Sequence, residues 1–136
     1  MGSRPASGGE RETTEAGGGG AACLGRLQAR QDDVRRALAG RSLRVRIDYA
    51  DPEATPSTVS VMFTRDGHVL PLRVDEPFAP HVEVRGTRQE VHAFLAGAVD
   101  LLDAVLAKLV VLRIPEAEVV HYRPLRALVA EELRAG

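Results

Sequence analysis

The apolar residues of this chain change their period twice, and that change limits the fold more than any other feature. Between Leu43 and Val84 they recur at every second residue, and on either side they recur at three- and four-residue intervals. In "SLRVRIDY" the side chains of Leu43, Val45, Ile47 and Tyr49 share one face of an extended chain, with Arg44, Arg46 and Asp48 on the other. "TVSVMFT" repeats the pattern with Val59, Val61 and Phe63. Asp66-Gly67 is a strong hairpin signal, and "HVLPLRV" then puts Leu70, Leu72 and Val74 on one face. Pro71 has no N–H to give a ladder, so its strand belongs at an edge or a bulge. "HVEVRG" places Val82 and Val84 inward. The four segments predict a sheet with one apolar and one polar face.

Helical spacing frames this sheet. From Cys23 to Ala39, Leu24, Leu27, Val34 and Leu38 fall near one stripe, which Gln31 interrupts, and Gly40 suits a C-cap. In "GTRQEVHAFLAGAVDLLDAVLAKL", Thr87 and Glu90 have capping-box spacing ahead of Val91, Phe94 and Leu95. Gly97 ends or bends that helix, and Val99, Leu102, Val105, Leu106 and Leu109 line a second one. "LVVLRI" reads as a final strand buried on both faces. Pro115 starts a short helix and Pro124 a terminal one, striped by Leu125, Leu128, Val129 and Leu133. Helices on one face of a mostly antiparallel sheet make an α+β domain. We expect that domain over residues 23–136, after a disordered Gly-rich tail at 1–22 with almost nothing to bury.

Composition narrows the function classes. The 136 residues carry a net charge of -1, which gives no electrostatic case for nucleic acid as a partner. Lys108 is the only lysine among 18 basic residues, a bias that points to a GC-rich, bacterial genome rather than a functional arginine patch. A single cysteine, Cys23, cannot form an intrachain disulfide and suits the cytoplasm, our expected location. No apolar run reaches the length of a transmembrane segment, and no lipidation motif ends the chain.

Catalytic signals are sparse. His68, His81, His92 and His121 have no metal-ligand spacing among themselves or with Cys23, so we expect no metal. There is no phosphate loop, no nucleophile elbow and no dinucleotide fingerprint, so no cofactor is expected. Asp48 and Tyr49 are neighbours on a strand and face opposite ways, which makes a poor acid/base pair. The chain reads as no enzyme. It has apolar faces in abundance, and these either pack into a core or enclose a ligand.

The element order and apolar positions resemble the sterol carrier protein 2-like family, from about Leu24 to Leu133. The likeness is most specific in "VEVRG", "TRQEVHAFLAG", "VDLLDAVLA" and "KLVVLRI". Ala107 stands where the family commonly has glycine, and "RIPEAE" replaces its usual Gly-Asp turn. The resemblance implies a five-stranded sheet, covered on one face by helices that enclose an apolar tunnel. It implies an intracellular lipid-binding or lipid-transfer protein whose partner is a sterol, fatty acyl or isoprenoid lipid. The residues expected to line the tunnel are Val61, Phe63 and Leu72 from the sheet, and Leu95, Val99, Leu102, Val105 and Leu106 from the middle helices. Leu125, Leu128 and Val129 complete it from the terminal helix. The competing reading is a protein-interaction or homodimerisation module that uses the same apolar groove. Arg113, Arg123 and Arg126 are candidates to meet a lipid head group, against the plainer reading of surface arginines.

Overall fold

A computed structural model describes residues 22–55, 57–72 and 79–135. Val74 and the expected tail up to residue 21 lie outside the described residues. Two helices open the structure, α1 at residues 22–28 and α2 at Gln31–Leu38. The single helix expected over Cys23 to Ala39 is thus divided at Arg30, whose φ of -110° and ψ of 44° interrupt the helical path. On either side of the break Leu27 and Val34, seven positions apart, face one core. After α2 the chain turns through left-handed Ala39 and Gly40.

Five strands follow in the order β3-β2-β1-β4-β5 across one sheet, namely β1 Leu43–Tyr49, β2 Thr58–Phe63, β3 Val69–Leu72, β4 Val82–Gly86 and β5 Val110–Leu112. Three pairings are antiparallel and one, β1 with β4, is parallel. The parallel pair arises because β4 begins beside the start of β1, with Val82 opposite Val45 and Gly86 opposite Tyr49. His81 joins three strands at that end. Its Nδ1 accepts from the Arg44 N–H at 3.0 Å, its own N–H donates to the Arg44 carbonyl, and its carbonyl accepts from the Arg113 N–H.

Helices α3 (Arg88–Leu95) and α4 (Leu101–Leu106) lie between β4 and β5, and α5 (Glu116–Val119) leads through a 3-10 turn at Val120–Tyr122 into α6 (Arg123–Ala135). The capping box at Thr87 forms as expected, with the Thr87 hydroxyl and the Glu90 carboxylate each satisfying the other residue's backbone N–H. Asp100 caps α4 by accepting from the Leu102 N–H. At the end of α4 the left-handed residue is Lys108 (φ 64°), while Ala107 keeps an ordinary φ of -81°, so the absence of glycine at Ala107 costs nothing there.

Two expectations for the strands are corrected. In β3 it is Val69 that is buried, opposite Phe63, whereas Leu70 pairs with Met62 and Leu72 with Ser60 on the face away from the helices. Alternation fixes which residues share a face but not which face is covered, and the tight turn at Gly67 sets the phase. A Cβ on Gly67 would lie 2.3 Å from the Gln31 carbonyl, so the hairpin tip rests directly on α2. The last strand, β5, is a three-residue edge strand rather than a doubly buried one, with Val110 buried and Val111 and Leu112 half-buried. Pro71 lies on the opposite edge, where a missing N–H is tolerated.

Candidate functional site

The apolar interior between sheet and helices divides into two clusters. The first is built from Leu27, Val34 and Leu38 of α1 and α2, Leu43, Val61, Phe63 and Val69 of the sheet, and Leu125 and Leu133 of α6. The second joins Val84 and Val110 of the sheet to Val91 and Phe94 of α3 and Ala104 of α4. Val82 and Leu95 touch both and form the seam between them. Both are only partly buried, unlike the cluster centres.

The structure brings together most of the expected lining residues. Val61, Phe63 and Leu125 are buried in the first cluster, with Leu95, Leu128 and Val129 packed on it. Val99 and Val105 pack on the second. The remaining three lie elsewhere. Leu72 is on the opposite face of the sheet from Val61 and Phe63. Leu102 and Leu106, one turn apart on α4, are 64% and 72% exposed. Helix α4 is only six residues long and buries Ala104, so the side chains on its far side are left to solvent. Spacing alone could not distinguish the Ala104 face from the Leu102 and Leu106 face, because the larger residues are on the wrong one.

Helix α6 walls the first cluster, and polar contacts hold it on two flanks. Toward α1 and α2, Arg26 Nε meets Glu132 Oε1 at 2.9 Å, and Arg30 Nη1 meets Glu131 Oε1 and Glu132 Oε2, each at 2.7 Å. The Arg30 guanidinium, helped by Arg26, holds the Glu132 carboxyl below the usual carboxylate range against the opposing effect of burial. The Cys23 thiol, beside the Val129 carbonyl, is pushed up chiefly by burial. The Tyr122 hydroxyl donates to the Ser42 carbonyl at 3.0 Å and fixes the start of the helix.

Toward α3 and α4 the contacts are of another kind. Arg126, Ala130 and Arg134 recur every four residues and so line one side of α6. Arg126 Nη2 donates to the Phe94 carbonyl at 3.1 Å and the Val99 carbonyl at 2.7 Å, and its guanidinium lies 4.5 Å from the centre of the Phe94 ring. Arg134 Nη1 donates to the Ala96 carbonyl at 2.9 Å. Between them lies Gly97, where an added Cβ would meet Ala130 only at an ordinary contact distance of 3.8 Å. Glycine is favoured there by its φ of 88°, which turns the chain after α3. Of the three arginines considered for a head group, Arg113 is spent on buried Glu83 (2.6 Å) and Arg123 is exposed, which leaves Arg126 at the interior.

Among the described residues, no three His, Cys, Asp or Glu side chains are grouped to hold a metal ion, and no helix is long and apolar enough to cross a membrane. An open, mostly polar depression at the start of α2 is lined by Ala29, Arg30, Gln31, Asp32, Asp33 and Arg36.

Among solved structures, the crystal structure of sterol carrier protein 2 superposes with a TM-score of 0.59 at 17% identity, over 86% of this chain and 94% of that one. A conserved hypothetical protein of Thermus thermophilus, described as possibly a sterol carrier protein, gives 0.56 at 21% identity over 95% and 92%. The sterol carrier protein domain 2 of Helicoverpa armigera gives 0.54 at 12% identity over 79% and 85%. No family model and no curated protein matches the sequence. The superpositions span nearly the whole of both chains, so the fold is that of sterol carrier protein 2.

Proposed function

We propose that this protein binds and carries a lipid, held between the sheet and its helical cover. The observation that supports this most directly is the seam at Val82 and Leu95, where two apolar clusters meet under α3 and α6 without merging into one core. An acyl, sterol or prenyl chain inserted along that seam would be lined by Val61, Phe63, Leu95, Val99, Val105, Leu125, Leu128 and Val129. Leu72, Leu102 and Leu106 take no part in this arrangement.

The energetics suffice without any chemical step. Burying about fifteen methylenes at about 0.8 kcal/mol each yields about 12 kcal/mol. Association costs at least about 4 kcal/mol. The remaining ~8 kcal/mol corresponds to roughly micromolar binding, which suits a carrier that must also release. Entry requires that a wall move, and α6 is the candidate, since polar contacts at its ends and flanks hold it in addition to Leu125 and Leu133. Deleting residues 122–136 would remove part of the first cluster, so the gate is better tested with the helix retained.

The test is native mass spectrometry of freshly purified protein, with organic extraction of what it carries. We expect an adduct of lipid mass, and rebinding of the extracted species by stripped protein. A ligand-free monomer that also fails to bind fatty acids, sterols and prenyl alcohols after stripping overturns the reading. A ligand-free dimer that buries the same groove would establish the interaction module instead.

A further inference from the structure

We propose that the margin formed by α4 and β5 is the contact surface of a weak, reversible homodimer. In it β5 pairs antiparallel with β5 of a second copy, and α4 packs beside its own copy. The surface is the outer side of α4 and the free edge of β5, not the seam, and the inference stands whether or not a lipid is held there.

Two independent features meet at this margin. The first is apolar. Leu106 and Leu102 are the most exposed of the large apolar side chains among the described residues, at 72% and 64%, while the same helix buries Ala104 completely. Both leucines stand opposite Ala104, because two residues in either direction turn a helix by about 200°. Since Ala104 belongs to the cluster that holds Val110, the leucines face away from the sheet at its β5 margin. The second feature is the strand edge. The Leu109 carbonyl and the Arg113 N–H both point to β4, each in a 2.7 Å bond. Main-chain direction alternates along a strand, so the N–H and C=O groups of Val110 and Leu112 point the other way, where no strand lies among the described residues. Val110, Val111 and Leu112 are all apolar, and no charge or proline within the strand blunts this edge. The opposite edge, β3, does carry such a residue, Pro71.

A second copy is the partner that fits both features. A two-fold axis at Val111 sets Val110 of each copy opposite Leu112 of the other, so that each free N–H meets a free C=O. Along α4, Leu102 and Leu106 are symmetric about Ala104, and so are Asp100 and Lys108. An antiparallel pair of α4 helices therefore lays Leu102 against Leu106 of the second copy and brings Asp100 level with its Lys108, opposite charges at both ends. With Pro71 on the far edge, strand pairing stops at two copies instead of running on into a filament. A six-residue helix and a three-residue strand make a small surface beside the roughly 800 Å² per partner of a stable interface, so the dimer is reversible and dilute protein is monomeric.

Sedimentation equilibrium of the full chain over a concentration series tests the proposal. We expect a monomer–dimer equilibrium and no larger species. Leu102→Ser with Leu106→Ser should weaken association about tenfold or more. Val111→Lys, which sets like charges face to face at the axis, should do the same. Leu70→Ser, also exposed but on the opposite margin, should change nothing. Circular dichroism of dilute samples checks that each variant folds, and if one fails the other carries the test. Monomer at every concentration overturns the proposal, as does a dimer that either folded margin variant leaves unaltered. Species larger than a dimer overturn the two-fold closure. A chain that stays monomeric but floats with phosphatidylcholine vesicles, and loses this with the two leucines, also overturns it and gives the margin to a lipid surface.

Discussion

The two flanks of helix α6 are fastened by opposite means. Toward α1 and α2, two arginines meet two glutamates, and every charge has a counter-charge. Toward α3 and α4, two arginines meet only carbonyls, with Gly97 between them. The first flank is electrically closed, and a ligand has nothing to add to it. The second leaves two guanidinium groups with no carboxylate partner among the described residues. The difference suggests that α6 stays anchored on its ion-paired side and yields on its carbonyl side.

The largest change should come from Phe94, which holds the second cluster and carries the Arg126 guanidinium on its ring. Phe94→Ala should cost about 3–5 kcal/mol in a urea melt, the usual range for an aromatic side chain removed from a core. A loss below about 1 kcal/mol would mean that the carbonyl flank is already loosely packed. Gly97→Ala comes next. Its φ of 88° is strained for any residue with a Cβ, at about 1–2 kcal/mol, although there is room for the methyl itself beside Ala130. The same variant should slow lipid release or entry if the turn must move, measured by stopped-flow exchange on protein still folded by circular dichroism.

Acid should weaken the ion-paired flank selectively. The Glu132 carboxyl is held below its ordinary value of 4.5, so the unfolded chain binds its proton first as pH falls. The stability that this group contributes is complete above that value and is lost as pH drops through the lower folded value. Glu83, held down by Arg113 and then Arg85, behaves alike. His81 is depressed from 6.5, first by burial and then by Arg44, so its share begins to fade at higher pH, below about 6.5. Urea midpoints between pH 7 and pH 3 should therefore fall in two stages, and Glu132→Gln should flatten part of the second. An unaltered profile in that variant would show that the pair contributes nothing to folding. The smallest effect belongs to Leu102→Ser with Leu106→Ser, both exposed, which should shift stability by no more than about 0.5 kcal/mol each. A larger loss of lipid binding in that double variant would bring these two residues back into the site.

Much of the fold was legible in short stretches of sequence because its causes are local. Thr87 and Glu90 announce their capping box three residues apart, and Gly97 occupies the left-handed position that its place after α3 requires. The lining was legible only in part. Phe63 and Leu125 lie in runs whose apolar residues share one face, and both are buried. Leu72 lies on the far face because the phase of β3 is set outside the strand, and Leu102 and Leu106 are exposed because α4 buries its Ala104 side. The contact of Arg126 with the Phe94 and Val99 carbonyls left no sequence signal that would separate it from Arg113 or Arg123.

By itself the sequence determined the periods, the caps, the turns and so the α+β class, since each depends on residues within one or two turns or strands of one another. Tertiary structure alone decided the phase of β3, the edge position of β5, the parallel pairing of β1 with β4, and which arginines meet carboxylates and which meet carbonyls. Those features depend on what lies across the sheet or across a helix interface, and neither spacing nor composition encodes distance between residues far apart in the chain.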